Sequence, residues 1–316
     1  MKLGILYQEA VKIGKQNDPR PESEIQRILD LADKEYQEMK EKEKARFDTD
    51  RLWNPYGDTR VLNGDLDLEV RKVLVGIDIE AGEILLADRL REKGQAIDLI
   101  LAHHPEGLAL AGLYGVMGMQ EDIMAEMGVP INVAEAIMRP RIREVARNLM
   151  PGNHRRAVDA ARLLGFPFAC VHTPADNMVN TFLTRLLDSK APKTLDELTE
   201  VLTELPEYAQ AARENAGPRI FVGEGKNRPG KIMVDMTGGT GGPEDAYVNL
   251  ARAGVGCVVG MHISDKNREA AEKNHVNVVI AGHISSDSLG MNLLLDQMEK
   301  HGLETVPCSG MTRIRR

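Results

Sequence analysis

The chain has 316 residues, more than a single hydrophobic core commonly serves, so two lobes are expected. A formal charge of -8 argues against broad nucleic-acid binding, and no apolar stretch approaches the length of a membrane span. The three cysteines, Cys170, Cys257 and Cys308, form no CxxC pair, which argues against a cysteine zinc site and fits reduced thiols in a cytoplasmic protein.

In chain order, residues 1–60 read as an N-terminal helical arm. From Pro21 to about Arg51 the sequence is highly charged, with Ile25, Ile28, Leu29, Tyr36 and Met39 at helical spacing. Leu52 to Asp58 is a turn-rich loop carrying the only Trp. An α/β alternation then begins. Lys72 to Ile79 reads as a strand, Glu83 to Lys93 as a helix and Ile97 to Ala102 as a second strand. Helices broken at Pro130, Pro140 and Pro151 fill much of 107–165, and a third strand leads to His172. Residues 178–215 read as mostly helical. Arg219 to Val222 and Lys231 to Met236 flank a Gly/Asn/Pro turn and read as a hairpin. Gly254 to Gly260 and Val276 to Ala281 are two further strands with a helix between them. The expected class is α/β: two lobes, 61–178 and 179–316, with mixed sheets flanked by helices and a metal site between them.

The chemistry gathers where strands end. His103-His104-Pro105, His172 with Asp176, and His283 with Asp287 each follow an apolar, β-branched run. Side chains just past the carboxyl ends of parallel strands are where α/β sheets place their sites. Three His/Asp groups delivered to one edge point to a metal centre, with zinc, iron, manganese or cobalt preferred over calcium because imidazole suits borderline divalent ions. Singly, each pair also reads as ordinary hydrogen-bonding residues at a strand end. His283 and Asp287 are four apart, a helical turn if a helix begins near Ser285. In the matching His172 to Asp176 spacing, Pro174 indicates a loop. Thr237-Gly238-Gly239-Thr240-Gly241-Gly242-Pro243 reads either as a phosphate cradle or as a plain glycine turn. Arg139, Arg141, Arg143, Arg147, Arg155 and Arg156 form a basic stretch, and Arg313 to Arg316 reads as a solvated tail.

These motifs resemble those of the Nif-three-like family, also known as GTP cyclohydrolase I type 2-like proteins. Val73 to Asp78 leading to Leu101-Ala102-His103-His104-Pro105 looks like that family's first half. His172-Thr173-Pro174-Ala175-Asp176 is similar to its HTxxD motif, and Gly282-His283-Ile284-Ser285-Ser286-Asp287 to its GHxxxE motif. The resemblance covers roughly residues 60–300. It implies a dinuclear centre of two divalent transition-metal ions (zinc, iron or manganese) held by His103, His104, Asp176, His283 and Asp287, in a toroidal homo-hexamer. Asp287 stands where the family usually has Glu, and Glu106 where it usually has an apolar residue.

Two functional classes follow. The first is a metal-dependent hydrolase in which two ions hold a bridging water, with His172 as catalytic proton shuttle or orienting residue and a phosphate-bearing or nucleotide-like small molecule as substrate. The family name suggests opening of a GTP ring. The second is a metal-binding or ring-shaped scaffold protein without turnover. For assembly, the small and Met-rich stretch Gly112 to Met119 reads either as a helix buried between subunits or as one packed within its own chain.

Overall fold

The computed structural model describes all 316 residues. It is an α/β structure with two mixed sheets flanked by helices and an N-terminal helical segment. The N-terminal segment holds α1 (Leu3–Gln16), α2 (Glu22–Glu38) and the single-turn α3 (Glu41–Lys44). It leads to β1 (Arg60–Asn63) and β2 (Lys72–Gly76), then α4 (Ala81–Glu92), β3 (Leu99–Ala102), α5 (Gly107–Gly112), α6 (Met119–Glu126), α7 (Ile131–Leu149) and α8 (Arg156–Leu163). β4 (Phe168–Cys170) runs into α9 (Thr173–Lys190), α10 (Leu195–Thr203) and α11 (Pro206–Arg213). β5 (Arg219–Val222), β6 (Lys231–Asp235), α12 (Asp245–Arg252), β7 (Val255–Gly260), α13 (Asp265–Lys273), β8 (Asn277–Ile280), α14 (His283–Glu299) and β9 (Glu304–Cys308) follow. No helix is long and apolar enough to cross a membrane.

The first sheet has the order β1-β4-β3-β2-β9, parallel except for β1, and both its faces are covered. Strand alternation sorts the side chains. Val73, Val75, Leu99, Leu101 and Ala169 face α1, α9 and α14, while Leu74, Ile100, Ala102, Phe168 and Cys170 face α4 and α8. Burial on both sides is why these strands read as unbroken apolar runs. The second sheet, β5-β8-β7-β6, is parallel except for β5. Val234, Cys257, Val259 and Val279 pack against α9, α10 and α11, while Met233, Val258, Val278 and Ile280 pack against α6, α7 and α12.

Helices α9 and α14 form the seam between the sheets. Ala175, Met178, Met291 and Leu294 belong to the first core, and Val179, Leu183 and Leu289 to the second. The two helices approach closely because Gly290 has no side chain: a Cβ there would stand 2.4 Å from the Ala175 carbonyl oxygen.

Several expectations are corrected. The hairpin is absent, because β5 and β6 lie on opposite edges of the second sheet; β8 and β7 stand between them. The glycine-containing turn reverses the chain without pairing its flanks. The segment after His172 is helical from Thr173, since Pro174 occupies the first helical turn, where a missing N–H is harmless. Helix α7 runs through Pro140 rather than breaking there. In the N-terminal segment, α1 packs on its own chain through Leu3, Leu6, Ala10 and Ile13 of the first core. The stretch from Leu113 to Gly118 is a 3₁₀ turn whose Val116 and Met117 are buried in their own chain, as is Met119 beyond it. Residues 304–308 return to the first sheet beside β2, so sheet membership crosses a division at residue 178. The Arg313 side chain is enclosed rather than solvated, donating to Asp296 and Glu299, while Arg316 holds the buried Glu207 at 2.6 Å.

Candidate metal centre

Both sheets aim the carboxyl ends of their parallel strands at one place. β3 delivers His103 and His104, β4 delivers His172 and the first turn of α9, and β8 delivers His283 and the first turns of α14. Helical spacing then turns Asp176 toward His172 and Asp287 toward His283. His103 Nε2 lies 3.3 Å from Asp176 Oδ1 and 3.5 Å from Asp287 Oδ1. His104 Nε2 and His283 Nε2 lie 3.3 and 3.6 Å from Asp287 Oδ2. His172 Nε2 is 3.6 Å from Asp176 Oδ2. Three overlapping groups have all their ligand atoms within 4.8 Å of one another: His103, His104 and His172; His104, His283 and Asp287; and His103, Asp176 and Asp287. The structure therefore brings together every residue named from the sequence.

The imidazoles are set from behind. His103 Nδ1 is 3.2 Å from the Val171 carbonyl, which can only accept, so Nδ1 carries a proton and Nε2 is the nitrogen turned toward the carboxylates. His104 Nδ1 meets Asp78 at 2.7 Å, and His172 Nδ1 meets Asp58 at 2.8 Å. A histidine tied at one nitrogen and open at the other is the usual arrangement around a metal. Asp58 is fully buried and also accepts from Thr173 Oγ1 at 2.6 Å, so its carboxylate sits at the N-terminus of α9.

Whether these residues suit a cation is tested by the atoms left unpaired. Five buried side-chain nitrogen or oxygen atoms in the whole chain have no hydrogen-bond partner. They are His103 Nε2, Asp176 Oδ1, both Asp287 oxygens and Ser285 Oγ. All five lie on the ligand residues or within the turn joining His283 to Asp287. Buried polar atoms are otherwise almost always satisfied, so this concentration fits residues that would hold a cation. The mixed imidazole and carboxylate set suits a divalent transition metal.

The electrostatics agree. Burial opposes ionisation of Asp287, yet the positive charge of His103, with His104 and His283 close by, holds it far below the usual carboxylate range. Burial likewise opposes protonation of His103, but Asp287 and Asp176 raise it well above an ordinary imidazole. His283 is lowered, by burial first and then by the neighbouring imidazoles, against the pull of Asp287. Without metal, protons on imidazole neutralise these carboxylates; a metal ion would displace them.

The cluster opens into a cavity of about 890 Å³ whose wall includes His172, Asp176, His283, His262, Arg141 and the loop from Thr237 to Pro243. The His262 ring stands 5.2 Å from that of His283. Asp58 and Asp78 were not singled out from the sequence. Asp78 carries the same signal as the histidines, since it closely follows the apolar strand β2. Asp58 lies in an irregular loop without periodicity, and nothing local marks it.

Comparison with solved structures places this architecture. A NIF3 superfamily protein from Sphaerobacter thermophilus is similar at 28% identity and a TM-score of 0.67, over 80% of this chain and 91% of that one. The chain is NIF3-like. Weaker likenesses to the NIF3-like chain are reduced HcgD from Methanocaldococcus jannaschii (16% identity, 78% of this chain and 87% of that one, TM-score 0.48) and TTHA1606 from Thermus thermophilus (16%, 84% and 92%, TM-score 0.46). No family model and no curated protein matches the NIF3-like chain.

Proposed function

We propose that this NIF3-like protein is a dinuclear metal-dependent hydrolase of a phosphate-bearing or nucleotide-like small molecule. The observation that carries the reading is the set of unpaired buried polar atoms on ligand residues beside an 890 Å³ cavity that Asp176 and His283 line. That volume suits a ligand of nucleotide size. His103, His104, Asp176, His283 and Asp287 hold two divalent transition-metal ions. Zinc, iron and manganese all suit this donor set. A bound ion supplies Lewis acidity, which polarises a substrate oxygen and lowers the pKa of water. His172 moves a proton at Nε2, the nitrogen that faces the cavity once Asp58 has taken Nδ1. The walls exclude bulk water from most of the cluster, because His103, Asp176 and Asp287 are buried.

Three free thiols fit a reducing cytoplasmic setting. A homo-hexamer is supported by the family resemblance and by exposed apolar side chains such as Leu85, Leu108 and Leu163. Light scattering should then give a mass several times that of one chain. Elemental analysis of protein purified without chelator should find close to two ions per chain. Nucleotides and simple phosphoesters should be hydrolysed at a rate that falls with chelation. Full metal content with no turnover on any of them would favour the carrier or scaffold reading, and an absence of metal would overturn both.

A further inference from the structure

The loop from Thr237 to Pro243, between β6 and α12, is held in an unusual way. Its carbonyls are engaged. Gln120 Nε2, on α6, donates to Gly238 O at 2.8 Å and to Thr240 O at 2.6 Å. Arg141 Nε, on α7, donates to Gly241 O at 3.0 Å. Asn267 Nδ2, on α13, donates to Gly242 O at 3.1 Å. Its amides are not engaged: no backbone N–H from Gly238 to Gly242 has an acceptor within the chain. In a planar trans peptide the N–H points opposite to the preceding carbonyl. Tying back the carbonyls of Gly238, Thr240 and Gly241 therefore turns the N–H groups of Gly239, Gly241 and Gly242 away from the three helices. Those three glycines line the cavity.

The same wall carries cations. Arg147 and Lys266 line the cavity, and the structure gives neither an ion-pair partner. Glu144, beside them, is neutralised by Arg141 at 3.0 Å. The distance to the metal ligands is short but real. A Cβ on Gly241 would lie 3.5 Å from the His262 ring, and His262 is the neighbour of His283. One imidazole thus separates the loop from the ligand cluster.

We propose that the Gly239–Gly242 amides, with Arg147 and Lys266, form a recognition site for the phosphate of a small organophosphate, and that this phosphate is a handle rather than the group attacked. Successive free amides make a concave anion site, and nearby cations add charge-assisted bonds. An oxyanion seated there lies across His262 from the metal ligands, so the bond cleaved belongs to the part of the molecule that spans the His262 ring. This rests on the hydrolase reading for what happens at the far end of the substrate; capture of the phosphate does not.

The test titrates inorganic phosphate calorimetrically into the full-length protein as purified, and again after chelator treatment. Gly241→Ala is the decisive variant. The backbone of Gly241 is not in the positive-φ region, and the added methyl makes only ordinary contact with His262, so folding is kept while the amide face is crowded. The expected result is phosphate binding that survives chelation. Gly241→Ala, by crowding the amide face, and the exposed pair Arg147→Ala/Lys266→Ala, by removing charge-assisted hydrogen bonds, should each weaken it roughly tenfold. Binding that disappears with the metal in folded protein, binding unchanged in both variants, or no binding at all overturns the proposal. Phosphate binding with no metal-dependent hydrolysis of any bond in a phosphate-bearing molecule would leave the handle standing and remove the hydrolase reading. Turnover without loop-dependent binding would do the reverse.

Discussion

Gly290→Ala is the most informative single change, because Gly290 sets the spacing of the two helices that carry the carboxylates. The added methyl would lie 2.4 Å from the Ala175 carbonyl oxygen, where ordinary contact begins at 3.4 Å. Helices α9 and α14 must then part by about 1 Å in a close-packed seam, and overpacking of this kind costs roughly 1–3 kcal/mol. The better helix propensity of Ala returns at most about 1 kcal/mol. A net loss of about 1–2 kcal/mol lowers the Tm by roughly 1.5–3 °C in a chain of this length. Ala175 precedes Asp176, and Gly290 lies three residues after Asp287, so the same shift separates the two buried carboxylates. Metal occupancy should fall along with the Tm. Scanning calorimetry and elemental analysis of the variant measure both. Gly82→Ala, in a helix with nothing within 4 Å of the new methyl, is the control and should not lower the Tm. A Gly290→Ala protein as stable and as metal-rich as the parent would refute the argument that this contact fixes the site.

Three other outcomes are expected. Asp58→Asn places an amide against the donors His172 Nδ1 and Thr173 Oγ1, so chemical denaturation should show a loss of about 1–3 kcal/mol. Its metal affinity should also drop about 10- to 100-fold, as for other residues that orient a ligand, and unchanged values in both would reject the role given to Asp58. Asp287→Glu restores the length that the family resemblance leads one to expect, and it should raise affinity for one ion or shift metal preference. A chelator titration matching that of the parent would show that the methylene does not matter. Glu299 concerns acid stability. Burial alone would raise its carboxyl, but hydrogen bonds from Arg315, Arg313 and Thr305 hold it at about 2. A depressed folded-state pKa gives stability that is complete above the unfolded value and lost as pH falls toward 2. Glu299→Gln should remove about 1 kcal/mol at neutral pH and flatten acid unfolding between about pH 4.5 and 2. Parallel acid curves for the two proteins would contradict this.

The sequence revealed the parts of the site that follow long apolar strands. Leu99 to Ala102 and Val278 to Ile280 are buried, so composition alone marks them and the histidines just beyond. Asp58 escaped because its position depends on a loop folding against α9, a contact across 114 residues. Strand partners were equally hidden. A turn between Val222 and Lys231 announces reversal, but β5 is paired with β8 rather than with its neighbour in sequence. Pro174 misled for a related reason, since proline ends a helix in its interior but begins one in its first turn. Arg313 to Arg316 looked like a free charged tail. Their partners, Asp296, Glu299 and Glu207, lie on α14 and α11 and lend no signal to the basic residues themselves.

The return of β9 to the first sheet has a consequence in time. β2 pairs with β3 as soon as residue 102 has been made, but its other edge stays open until Glu304 to Cys308 arrive, more than two hundred residues later. Everything that forms the second sheet is synthesised in that interval. An open, apolar strand edge invites pairing with other chains, so the nascent protein is most exposed to aggregation just before its last strand docks. The same closure ties completion of the first sheet to the presence of α14, which precedes β9 and carries His283 and Asp287. The sheet that bears His103 and His104 is therefore sealed only after the opposing ligands have been made.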